Sequence, residues 1–288
     1  MSKSSRTANR TLALLRGQMG AWLRSPRTPV LLLLLIIYAA TMASTYGRNI
    51  SQQFGQVYFG ETVFFYLGRG FTNSLSVLSA VMLLLLSEVP RRTALQNYLL
   101  IRSSRTRWLW SLILFCAVSL LMMLMLLLIV HMAFTLPHLS MGSGWSDPQR
   151  IEAADDPYLV RLIPEVVTSS GLTPFIASLL ALDVLFLYWM MFLMLILLCS
   201  LLGAPNLGVM IYFTLFFLHV TVMWEFVPWL FVPAKISTML TIMNTTQQGD
   251  ALPAVYRALA TMGGIVITLI GAMFFVIQKT ELRFSGRN

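Results

Sequence analysis

Apolar residues run along this chain in six long blocks separated by shorter polar breaks. A block of about 20 apolar residues is enough to carry a helix through a ~30 Å hydrocarbon layer. The blocks predict helical spans at 29–46, 67–87, 108–136, 172–202, 206–227 and 252–278. At 1.5 Å per residue the third and fourth exceed ~40 Å, so they tilt or project beyond the lipid. The second is diluted by Thr72, Asn73, Ser74, Ser76 and Ser79. Small polar residues of this kind suit a face packed against other helices.

The segments between the blocks carry their own patterns. Over 1–28, counting 100° per residue, Leu12, Leu15, Met19, Trp22 and Leu23 share one arc, with Arg10, Gly17, Ala21 and Arg24 opposite. This predicts an amphipathic helix lying in the headgroup layer, with Arg16 and Arg24 near anionic lipid. Pro26 and Pro29 then turn the chain into the bilayer. Segment 88–107 is longer than a simple turn. Pro90 suits a first helical turn, and Ala94, Leu95, Tyr98 and Leu99 form an apolar stripe among five arginines. Such a helix needs a surface to dock on. Residues 137–171 form the largest soluble loop. Residues 228–251 are apolar but broken by Pro228 and Pro233, which predicts a re-entrant hairpin rather than a span.

Composition agrees with a membrane protein. The chain has 288 residues, of which 57% are hydrophobic and 11% charged. Soluble domains average about 25% charged. The fold expected is therefore all-α: a polytopic membrane protein with six transmembrane helices. Net charge is +9, but the basic residues sit beside apolar runs rather than on a free aromatic-basic face, which argues against nucleic acid. Fourteen Lys and Arg fall in 1–28, 88–107 and the 279–288 tail, against five in the opposite loops. The positive-inside rule then puts both termini, 88–107 and the 203–206 turn in the cytoplasm of a multi-pass protein of the cell membrane. Trp108, Trp224 and Trp229 are expected at the membrane interfaces, with Trp22. The opening residues do not resemble a cleavable signal, because the first block is long and others follow.

Candidate chemistry is sparse. The sequence has no phosphate-binding glycine loop, no H-E-x-x-H, no G-x-S-x-G and no paired intramembrane carboxylates. Cys116 and Cys199 lie inside apolar blocks, and His131, His138 and His219 are scattered, so no metal or cofactor site is expected on this chain. Asp183 is the single carboxylate well inside a span. Its charge costs about 2.5–3.5 kcal/mol near the bilayer centre, so it should face the bundle interior or a wet cavity, or be protonated. It reads either as a proton or cation contact or as a hydrogen-bonded packing residue.

This arrangement resembles the permease (membrane) subunit of a type-2 ABC exporter. Members of that family are similar in having an amphipathic elbow helix before the first span and six spans with both ends inside. They carry a coupling helix between spans two and three, a tight inner turn between four and five, and a broken hairpin before span six. The family's inner-loop pattern is matched loosely by Glu88, Thr93-Ala94, Leu99-Leu100 and Ser104-Arg105. The resemblance implies that Glu88, Arg91, Arg92, Tyr98, Leu99, Arg102, Ser104 and Arg105 meet a separate cytoplasmic ABC ATPase, which holds the ATP and magnesium. It implies a second permease, identical or not, and an exported substrate whose identity the sequence does not give. The chain itself would not be an enzyme. The 137–171 loop departs from the family's usually short connection there. Three alternatives stand beside this. The substrate-binding membrane subunit of a vitamin-uptake transporter would want compact outer loops and no elbow helix. A membrane enzyme would want clustered His, Asp or Glu at one depth. A non-transporting sensor or assembly factor stays open.

Overall fold

The computed structural model describes residues 3–54, 57–58, 81, 104–136, 139–140, 173–220 and 251–279. They form six helices and one two-residue strand pair. In chain order these are α1 (Lys3–Leu23), α2 (Arg27–Phe54), β1 (Val57–Tyr58), α3 (Arg105–Thr135), β2 (Leu139–Ser140), α4 (Pro174–Leu201), α5 (Pro205–Val220) and α6 (Ala251–Lys279). Three helices, α3, α4 and α6, are long and apolar enough to cross a membrane; a fourth crossing is counted if the bent pair α1 and α2 makes one. The expected segments at 67–87 (Val81 apart), 88–103 and 221–250 lie outside the described residues, and with them the coupling helix and the re-entrant hairpin.

The helices begin and end where local chemistry dictates. Thr173 caps α4 by accepting a hydrogen bond from the Ile176 amide, and Pro174 takes the first-turn position where no amide donor is needed. At the other end the Ala204 amide donates to the Cys199 carbonyl and the Gly203 amide to the Ser200 carbonyl. This paired closure requires a left-handed residue, and Gly203 supplies it with φ +85. Pro205 then opens α5. Buried hydroxyls turn back onto their own helices: Ser111 onto the Trp108 carbonyl, Ser119 onto Phe115, Thr135 onto His131 and Ser178 onto Pro174. Each hydroxyl thus donates within its own helix, which lets an apolar interior hold it.

α4 is the hub, packing against α6, α5 and α3. Its apolar residues surround it on all sides, as a helix buried among others requires. Its inner surface is aromatic. The Tyr188 and Phe192 rings lie 4.9 Å apart, and Phe192 meets Tyr212 of α5 edge-on at 4.9 Å. Close approach of α4 and α5 depends on Gly208: a Cβ there would fall 2.9 Å from Cys199 Cβ and 3.0 Å from Ile196 Cα. On the other flank, Leu31, Leu35 and Ala39 bury one stripe of α2, while Val30, Leu33, Leu34 and Ile37 face outward. α2 packs against α3. The helix runs to Phe54, beyond the expected end at Tyr46.

α2 and α3 run in the same direction. Their starting ends meet, because Trp22, just before α2, packs edge-on against Phe115 near the start of α3 at 6.2 Å. Their finishing ends also meet, because Val57 pairs in parallel with Leu139 and Tyr58 with Ser140. The strand pair is too short to read from sequence.

Candidate functional site

Among the described residues, polar and charged groups gather at the end of the bundle where α2 and α3 begin. α1 and α2 meet there at 75°. The corner is held from both sides. The Thr28 hydroxyl donates to the Trp22 carbonyl, and the Arg27 amide donates to Ser25 Oγ. α1 does not lie free. Gln18 Nε2 donates to Ser111 Oγ of α3 at 3.2 Å, and the Trp22 ring fits against Phe115. Gln18 Oε1 and the indole nitrogens of Trp22 and Trp108 are buried in this seam with no hydrogen-bond partner.

The amphipathic arc of α1 is divided between two environments. Leu15 and Met19 pack on the core and Trp22 is 4% exposed, whereas Leu12 is 46% and Leu23 51% exposed. Arg16 is exposed on the same side of the helix as those two leucines, and Arg24 is exposed just past the helix end. Trp108, expected at the interface, is 1% exposed and forms part of the core. Arg105 is exposed at the first position of α3, and Arg107 is half-buried. Ser104, exposed, holds the N-cap position in extended conformation without a side-chain cap. α6 finishes at this same end: Phe274 stacks at 5.2 Å against Trp110, and Lys279 lies 4.4 Å over the Phe275 ring. Arg24, Arg27, Arg105, Arg107 and Lys279 therefore form a basic collar on one end of the bundle.

Of the other expected site residues, Glu88, Arg91, Arg92, Tyr98, Leu99, Arg102, Trp224 and Trp229 lie outside the described residues. Asp183 is described, and it is exposed. It lies on a face of α4 shared with Ile176 and Leu179, both exposed, in the half of the helix that precedes the fully buried run Tyr188–Met194. The carboxylate is thus not enclosed by the described helices. His131 is buried in α3, and Cys116 and Cys199 are free and buried. Among the described residues no three His, Cys, Asp or Glu converge on a common point.

The seam between α1 and α3 was not legible beforehand. Gln18 and Ser111 carry no motif, and Trp22, expected at the membrane interface, is buried against Phe115. No family model matches the chain, no curated protein is significantly similar to it, and no solved structure matches it.

Proposed function

We propose that the chain is the membrane-spanning subunit of an ATP-driven exporter, paired with a second membrane subunit and driven by a separate cytoplasmic ATPase. The observation that carries the reading is the parallel pairing of α2 and α3. Because both helices begin at the basic end, the chain leaving Phe54 at the far end has to return about 42 Å, the length of 28 helical residues, before α3 begins. The apolar stretch 67–87 is long enough for that return across the bilayer, which on this reading would bring the arginine-rich segment 88–107 to the basic end. Collected there are Arg24, Arg27, Arg105, Arg107 and Lys279, in the distribution expected of the cytoplasmic side.

On this reading Glu88, Arg91, Arg92, Tyr98, Leu99 and Arg102, continuing into Ser104 and Arg105, form the surface that meets the ATPase. A push on that segment enters α3 at its first turn. Ser111 and Phe115 lie just beyond, where α1 is clasped. α1 takes the place of an elbow helix: it turns through 75° before the first span. Two subunits would enclose the export path, and Asp183, not enclosed by the described helices, is available to that shared space.

The test is purification of the tagged protein from its own cell, followed by identification of co-purifying proteins. An ABC-type ATPase is expected with the wild type. It should be lost when Arg91, Arg92, Arg102 and Arg105 are changed to Glu, with membrane insertion unchanged. Absence of an ATPase from the wild type, or its retention by the charge-reversed variant, overturns the proposal.

A further inference from the structure

Asp183 is the only acidic side chain among the described residues, and it is exposed on a membrane-crossing helix between apolar neighbours. Such a charge costs about 2.5–3.5 kcal/mol near the bilayer centre, which a basic group on an adjoining helix offsets. α6 packs beside α4 and is the least enclosed of the crossing helices: 22% of its apolar stretch is buried, against 50% for α3 and 72% for α4. Met262, Val266, Met273 and Ile277 turn inward. The opposite side carries Ala260, Gly264, Thr268 and Gly271, all exposed. The Thr268 hydroxyl donates back to the Gly264 carbonyl, and nothing lies within 4 Å of a Cβ added at Gly264 or Gly271. The result is a shallow trough that a second helix can approach closely. Arg257 holds the next position along that line, toward the start of α6.

We propose that two copies of this chain pair through the edge formed by α4 and α6, with Arg257 of each copy meeting Asp183 of the other. Ala260 and Gly264 then receive the exposed ridge of the second copy's α4. The inference rests on the paired-subunit part of the export reading and gives that pairing a face. On that reading α4 and α6 both finish on the cytoplasmic side. Asp183 lies about 27 Å back from Leu201 and Arg257 about 33 Å back from Lys279, so the two sit about one helical turn apart in depth. A two-fold pair buries the same patch of each copy, so both mates have to lie on one side of the molecule. α4 and α6 meet this condition as neighbours, whereas α2, which carries Arg48 in its far half, packs against α3. Pairing α6 with a second α6 would set Arg257 against Arg257, and the like charges disfavour it.

The test uses the full chain in phosphatidylcholine vesicles that contain no ATPase. Cys116 and Cys199 are replaced by Ala, and a Gln278→Cys variant is labelled with donor or acceptor fluorophores. Energy transfer is followed as added lipid dilutes the protein. Transfer is expected at working ratios, and Asp183→Asn or Arg257→Gln should each move its half-point about tenfold toward higher protein. Arg48→Gln should leave it in place. Asp183→Arg and Arg257→Asp should each abolish pairing alone and restore it together. Gly264→Leu fills the trough without meeting its own chain, so it should weaken pairing with the fold intact and serves if a charge variant misfolds. Absence of transfer, which would leave the edge to lipid or to another part of the chain, overturns the proposal. So does pairing indifferent to Asp183→Asn and Gly264→Leu, or pairing lost with Arg48→Gln. With no ATPase in the vesicles, the pairing and the ATPase association can fail separately.

Discussion

Gly208 gives the sharpest measure of how tightly the helices are packed. Replacing it with Ala adds one methyl group to α5 at the point where α5 meets α4. That methyl would lie 2.9 Å from Cys199 Cβ and 3.0 Å from Ile196 Cα, whereas carbon atoms rest at about 3.5–4.0 Å. One of the two atoms is backbone, so no rotamer change removes the contact; the helices must part by roughly half an ångström or more. Parting them loosens the Phe192–Tyr212 and Trp189–Tyr212 ring contacts, now at 4.9 and 6.4 Å. Overpacking of this kind costs about 1–3 kcal/mol, against about 1 kcal/mol gained from the better helix propensity of Ala. The net expectation is a loss of up to about 2 kcal/mol for Gly208→Ala and a larger one for Gly208→Leu. Gly263 provides the control: nothing lies within 4 Å of a Cβ there, so Gly263→Ala should be neutral or stabilising by up to about 1 kcal/mol. The assay is the thermal or denaturant midpoint of the purified protein in one detergent, read by retention of the monodisperse peak. Cys199→Ala should not rescue Gly208→Ala, because its Cβ and the Ile196 backbone both remain. Equal midpoints for Gly208→Ala and Gly263→Ala, or full rescue by Cys199→Ala, would refute the packing argument.

Gly203→Ala meets no atom within 4 Å, so its whole cost is the left-handed backbone at φ +85, about 1–2 kcal/mol; Gly203→Asn should recover part of it in the same midpoint assay. Asp183→Asn should leave the midpoint unchanged or raise it, because the exposed carboxylate has no partner among the described residues and its charge costs about 2.5–3.5 kcal/mol where it faces lipid. On the export proposal that same variant should lose transport while keeping its fold, and a lowered midpoint would instead make Asp183 a packing residue.

What the sequence made legible follows from what an apolar pattern encodes. α3, α4 and α6 begin and end within three residues of the expected blocks, because a long apolar run has few alternatives to a helix in a membrane. The same pattern says little about neighbours. The arc of α1 marks which residues avoid water, yet α3 and lipid satisfy it equally well, and only Gln18–Ser111 and Trp22–Phe115 decide between them. Trp22 and Trp108 carry an apolar body and one polar atom, a chemistry that suits an interface and a core alike. α4 is apolar on every side, so no periodicity indicated which way Asp183 would point; the cost of its charge left the bundle interior, a wet cavity or protonation open, and the residue is exposed among the described helices. α2 outruns its expected end because Arg48 and Asn49 are polar without being helix breakers; hydropathy marks where lipid contact stops, not where the helix does.

The corner between α1 and α2 has a mechanical consequence. Between Leu23 and Arg27 the helical ladder is interrupted, and the links across it are local: Thr28 to the Trp22 carbonyl and the Arg27 amide to Ser25. α1's longer-range side-chain contacts go instead to α3, ninety-three residues away in the case of Gln18 and Ser111. The first turns of α3 are therefore tied to α1 through a side-chain hydrogen bond and an aromatic contact, while α2 packs against α3 along its own length. The indole nitrogens of Trp22 and Trp108 and Gln18 Oε1 lack partners in that seam, and each unmet buried group costs about 1–3 kcal/mol. A junction with unmet groups on both sides is cheaper to shear than one whose polar atoms are all paired. The clasp between α1 and α3 thus rests on apolar packing and on the Gln18–Ser111 hydrogen bond, with polar atoms on both sides of it left unmet.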